Sequence, residues 1–145
     1  KVFPGVPLVM THRDVGQVLP SYCSMCASMS LGASMTYRRE VQGAHWTSRF
    51  RTGLERFEAW RKTLPQGRIV DVRYEDTVAD PVGTAGRVMQ SIGLGFDDAD
   101  RAAMEACIAA NARENRPRHK YSAEEFGLTR AGIAADFAFY HDRYL

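Results

Sequence analysis

The sequence predicts an α/β chain, dominated by helix, that carries about two strands of a parallel sheet. Two short apolar runs, residues 6–10 and 68–74, are each followed by a polar turn and then by helical periodicity. The long helical stretch between them returns the chain to the same end of the sheet, which makes the two strands parallel. Parallel sheets need several strands and cover on both faces, so two strands make an incomplete core. The remaining strands are expected upstream of Lys1 or in another chain.

The elements follow in order. Val6–Met10 reads as a strand buried on both faces, and Asp14 with Gln17 three residues later resembles a capping box that starts a helix at about Val15. Pro20 predicts that this helix kinks or starts late. Its body, Ser21 to about Ser34, is rich in Met, Cys, Ala and Leu, and the methionines from Met25 to Met35 read most simply as core, with the lining of an acceptor pocket as the alternative. A second helix is marked by Val41, Trp46, Phe50, Leu54, Phe57, Trp60 and Leu64 and is ended by Pro65 and Gly67. After the strand at Arg68–Tyr74, Asp80 is an N-cap with Pro81 at the first helical position, and Gly93 stops that helix. Another helix is expected from about Asp98 to Glu114. A basic segment, RENRPRHKYS, precedes a second capping box at Ser122 and Glu125, and a last helix follows Thr129 with Ile133, Phe137, Tyr140 and Tyr144 on one side.

Composition narrows the classes of function. Nineteen Lys and Arg against 17 Asp and Glu leave a net charge of +2, too balanced to predict a nucleic-acid or general membrane-surface partner. Any anionic ligand must be held locally. Three cysteines, an odd number, do not form a disulfide framework, which favours a reducing, cytoplasmic setting. No apolar stretch approaches the ~20 residues of a membrane span, and KVFPGVP lacks the apolar core of a signal peptide.

The polar chemistry collects in THRDVGQVLPS, residues 11–21, behind the first apolar run. A strand end that feeds a helix is where open α/β sheets hold ligands. That makes the stretch, with Arg13 and Ser21 eight positions apart, a candidate site. Read from the residues alone, a second account stays open: Arg13 pairs with Asp14 or a neighbouring helix, and Ser21 relieves the helix near Pro20. His12 either approaches a ligand or ties the turn to the backbone. Cys23 and Cys26 form C-x-x-C without a second pair at zinc-binding spacing, so no metal is predicted. His45 and His141 lie on expected helices as surface or interface residues.

PLVM, THRD, Ser21 eight residues after Arg13, RYEDTVADP and RHKYSAEEFGLT, in this order, resemble the sulfotransferases that use 3′-phosphoadenosine 5′-phosphosulfate, in their bacterial branch. The resemblance implies a P-loop-type α/β fold, with residues 1–145 as the C-terminal part of a single domain. It implies that Arg13 and Ser21 bind the 3′-phosphate of the co-substrate, that Tyr74 contacts the adenine, and that Arg118 and Lys120 form a second phosphate clamp. Glu75 and Asp76 are expected to cap the following turn and hold Arg73 or Arg13. The family's loop for the 5′-phosphosulfate and its general base precede the matching segment, and no G-x-x-x-x-G-K-[ST] run occurs here. The 145-residue chain alone is therefore expected to be inactive, and its catalytic residues are unknown. The acceptor is a hydroxyl on a small molecule, glycan or lipid. A fragment of a P-loop kinase or other nucleotide-binding protein, and a non-catalytic helical interaction module, are the alternatives.

Overall fold

The computed structural model describes residues 5–30, 38–111 and 121–145. They divide into two units. One is drawn from Lys1–His12 and Leu64–Arg118, the other from Arg13–Thr63 and His119–Leu145.

The first unit holds the sheet. Strand β1 (Leu8–His12) pairs in parallel with β2 (Ile69–Arg73), with Leu8 opposite Ile69 and His12 opposite Arg73. The strand lies two residues further along than the apolar run at 6–10 predicts. Backbone pairing with Val72 and Arg73 draws Thr11 and His12 into the ladder, whatever their polarity. The expected burial on both faces is also corrected, because Leu8 is 37% and Val9 46% exposed. Two strands alone leave much of their apolar surface in water. His12 is fully buried, and its Nε2 lies 2.8 Å from Oδ1 of Asp71 across the pair. That cross-strand contact ties the strand end to a neighbouring carboxylate, a partner that neither reading of His12 named.

Helix α3 (Tyr74–Ala79) starts directly at the end of β2. Glu75 and Asp76 stand in its first turn, where negative charge suits the helix dipole, without forming the expected side-chain cap. Helix α4 (Pro81–Ser91) begins as predicted. The Asp80 carboxylate accepts from the Gly83 amide at 2.8 Å, Pro81 takes the position whose N–H has no helical partner, and Gly93 ends the segment at φ +78°. Helix α5 (Asp98–Ala110) opens on a reciprocal capping box between Asp97 and Asp100. The last residues of its predicted span, 112–114, lie outside the described ones.

The second unit is helical. Helix α1 (Val15–Ser30) carries Pro20 inside it, so the late start allowed for Pro20 does not occur. One face is buried through Val15, Leu19, Cys23 and Ala27. The other exposes Met25 by 49% and Met29 by 73%, so these two methionines are not core. Helix α2 (Gln42–Arg61) lays Trp46, Phe50 and Leu54 against the same core, while Trp60, placed on its apolar stripe by spacing, is 46% exposed. Ser122 and Glu125 form the expected reciprocal box, at 3.0 and 3.4 Å, and introduce a short 3₁₀ turn at Glu124–Phe126. The single last helix of the sequence reading is two. Helix α6 (Arg130–Asp136), capped by the Thr129 hydroxyl on the Gly132 amide, breaks at Phe137, and α7 (Ala138–Tyr144) resumes. Phe137 leaves helical geometry at φ −115°, ψ 14°, yet Ile133, Phe137 and Tyr140 are all buried as their spacing predicts.

Two stability predictions arise here. Gly43 in α2 sits where an added Cβ would land on the Phe126 carbonyl oxygen and the Leu128 side chain. Gly43→Ala gains about 1 kcal/mol of helix propensity, but the clash with backbone outweighs it. Urea unfolding should show a loss of about 1–3 kcal/mol; a gain would show that the packing against Phe126 is looser than described. Tyr144 donates its hydroxyl to Glu58, which also pairs with Arg143 at 2.8 Å. Burial, then the bond and charge of Glu58, push the Tyr144 hydroxyl up to about 12 from its usual 10. A raised pKa holds the proton in the folded state after the unfolded chain has lost it. The contribution is therefore complete below pH 10 and is lost as pH rises from 10 through about 12. Melting temperature should fall over that interval in the wild type, and Tyr144→Phe should flatten the fall relative to it.

Candidate functional site

The site expected from the sequence starts where α1 begins. Four first-turn amides of a helix lack partners within it, and a helix start is a ready anion site unless they are satisfied. Here three of them, those of Val15, Gly16 and Gln17, are engaged from within the unit. The Val15 amide donates to Nε2 of His141 at 3.2 Å, and the Gly16 amide to Oδ1 of Asp14 at 2.7 Å. The Gln17 and Val18 amides donate to the Asp14 carbonyl at 3.0 and 3.1 Å. The Val18 bond is the first of the ordinary helical ladder, and the three amides before it are those engaged by Asp14 and His141.

Beside this helix start, side chains form a row. Arg13 directs Nη2 and Nε at Oε1 of Gln17, at 3.1 and 3.4 Å. Gln17 therefore does not close the predicted capping box, since its carbonyl is engaged by Arg13; Asp14 and His141 take the first-turn amides instead. Ser21 lies four residues beyond Gln17, one turn up the same face. A helical turn rises about 5.4 Å, which is the separation along the axis of the Gln17 and Ser21 backbone positions. A shallow cleft of about 380 Å³ continues along this helix face from Ser21 past Met25, Ser28 and Met29. Helix α1 carries no charged residue in its 16 positions, which leaves Arg13 as the cation of the row.

Asp14 could compete for that cation. Its carboxylate is turned into the first turn of α1, where Oδ1 bonds Gly16 and lies 3.4 Å from Nε2 of His141. His141, expected as a surface or interface residue, meets the start of α1. No spacing links position 141 to position 15, and only the packing of α7 beside α1 brings them together.

Tyr74 belongs to the first unit, as the residue at which β2 passes into α3, half-buried and beside the acidic pair Glu75 and Asp76. Arg118 and Lys120 lie outside the described residues. Cys23 faces the core of the second unit, and burial, with a smaller effect from Cys26, pushes its thiol up to about 11. A thiol so raised is a poor nucleophile at neutral pH. Among the described residues no three His, Cys, Asp or Glu side chains gather as a metal site, and no helix is long and apolar enough to cross a membrane.

Parallel strands joined through a helical connection belong to an α/β architecture of the P-loop type, rich in helix. The model of the sulfotransferase family matches residues 1–98, and the chain belongs to that family. Two solved bacterial structures are similar to it. Sulfotransferase STF1 from Mycobacterium tuberculosis H37Rv superposes with a TM-score of 0.78 at 31% identity, over 94% of this chain and 34% of its own. Sulfotransferase STF9 from Mycobacterium avium superposes with a TM-score of 0.83 at 22% identity, over 97% of this chain and 36% of its own. The chain thus spans about a third of the length of these structures. No curated protein matches it.

Proposed function

We propose that these residues serve a sulfotransferase that moves a sulfuryl group from 3′-phosphoadenosine 5′-phosphosulfate to a hydroxyl acceptor, and that Arg13 and Ser21 hold the 3′-phosphate. The observation that carries the reading is the row on α1: a guanidinium held at Gln17, with a serine one turn further on, beside a helix start whose first three amides are already engaged. A planar cation and a neutral hydroxyl suit a phosphate monoester, since the first can take two oxygens and the second adds a bond without further charge. Tyr74 is assigned the adenine, to which a ring offers a π-face and a hydroxyl.

In the transfer itself the bond between sulfur and the bridging phosphosulfate oxygen breaks, and a new bond forms from sulfur to the acceptor oxygen. The acceptor proton passes to a base, and the products are a sulfate ester and adenosine 3′,5′-bisphosphate. The cradle for the 5′-phosphosulfate and the base are assigned to chain outside these 145 residues, and Arg118 and Lys120 keep their place as a second clamp on the 3′-phosphate. Membership of the sulfotransferase family supports this reading over a P-loop kinase. The test is calorimetric titration of the intact protein with adenosine 3′,5′-bisphosphate and with adenosine 5′-monophosphate. Tighter binding of the first is expected, and equal binding of both would overturn the proposal.

A further inference from the structure

We infer that this protein pairs with a second copy of itself through two exposed helix faces, a basic stripe on α2 of one copy and an acidic stripe on α5 of the other. The inference goes beyond the nucleotide reading and does not depend on it.

It starts from four charges. Arg49 and Arg56 on α2 are exposed and make no ion pair or hydrogen bond among the described residues, and the same holds for Asp98 and Glu105 on α5. Within each helix the two charges stand seven residues apart, which places them on one face with backbone positions about 10.5 Å apart along the axis. The stripes continue alike. That of α2 reads Arg49, Gly53, Arg56, Trp60, and that of α5 reads Asp98, Ala102, Glu105, Ala109, both at the spacing four, three, four that keeps one helical face. Laid side by side in parallel, each arginine meets a carboxylate, Gly53 meets Ala102, and the large Trp60 meets the small Ala109. Nothing stands within 4 Å of where a Cβ on Gly53 would lie, so the middle of the α2 stripe is open to a close neighbour. Trp60 is 46% exposed, and α5, over 13 residues, buries none of them. An indole in water and a short helix without a buried residue are both stabilised by cover.

Charge decides what covers them. Two α2 stripes, or two α5 stripes, would set like charges against each other, so neither helix pairs with its own equivalent. Each fits the other. The acidic residues of α2 do not cancel its stripe, because Glu55 and Glu58 are taken by Arg51 and Arg143 at 2.9 and 2.8 Å. The cation of α5, Arg101, lies over the Phe96 ring, 5.6 Å from its centre. A second copy brings both faces at once, and a contact made twice about a two-fold axis closes as a dimer.

The experiment is analytical ultracentrifugation of the intact protein. Wild type should show a monomer–dimer equilibrium that weakens in about 1 M NaCl, where the Debye length falls to about 3 Å. Reversing the basic stripe, Arg49→Glu with Arg56→Glu, should raise the dimer dissociation constant at least about tenfold, and Asp98→Arg with Glu105→Arg should do the same. Mixing the two reversed proteins should restore dimers, since each contact again joins opposite charges. Misfolding of either variant cannot produce that recovery. The inference is overturned if wild type stays monomeric up to about 100 μM, which would leave the two faces to the rest of the polypeptide or to other partners. It is also overturned if the reversals leave a dimer unchanged, which places that interface elsewhere, or if mixing restores nothing.

Discussion

Arg13→Ala is expected to lower the affinity of the intact protein for adenosine 3′,5′-bisphosphate by about 30- to 100-fold. That is the range for losing hydrogen bonds made by a charged group, about 2–3 kcal/mol. Binding of adenosine 5′-monophosphate, which lacks the 3′-phosphate, should be nearly unchanged. The effect is large because α1 carries no charged residue and the amides of Val15, Gly16 and Gln17 are engaged by Asp14 and His141. Arg13→Lys should recover only part, since an ammonium offers a point charge where the guanidinium offers a fork. Ser21→Ala should cost less than Arg13→Ala, about 1 kcal/mol, as befits a neutral donor. Calorimetric titration of the four proteins checks the order, and a Ser21→Ala loss exceeding that of Arg13→Ala would reverse the roles assigned to them.

Phe137→Ala should be the most destabilising truncation in the second unit, by about 3–5 kcal/mol. The ring is fully buried at the break between α6 and α7, in the cluster with Leu19, Cys23, Phe126 and Ile133. Its loss opens a cavity between two short helices, neither of which is long enough to be stable without packing. Phe139, two residues on and 36% exposed, is the control: Phe139→Ala should cost well under half as much. Urea denaturation followed by circular dichroism measures both, and equal losses at the two positions would contradict the core described here.

Helix caps were the most legible features, because they depend on neighbours in sequence. Asp80 with Pro81, Ser122 with Glu125 and Thr129 each do what their spacing implies. Parallel pairing of the strands was legible for a related reason, since a long helical connection excludes a hairpin. Methionine was misread: Met25 and Met29 carry an apolar composition that suits either core or open surface, and composition does not say which face of a helix meets a neighbour. Gln17 was read as a cap because its spacing from Asp14 fits one. Its choice of Arg13 instead depends on where that side chain is carried.

The sequence by itself determined the alternation of strands and helices and the helix starts, set by interactions within a few residues along the chain. Only the tertiary structure decided that His141 closes the start of α1, that Asp71 holds His12, and that the last helix breaks at Phe137. Those contacts join positions 59 or more residues apart, or depend on the packing of a core, and no local propensity or spacing encodes them.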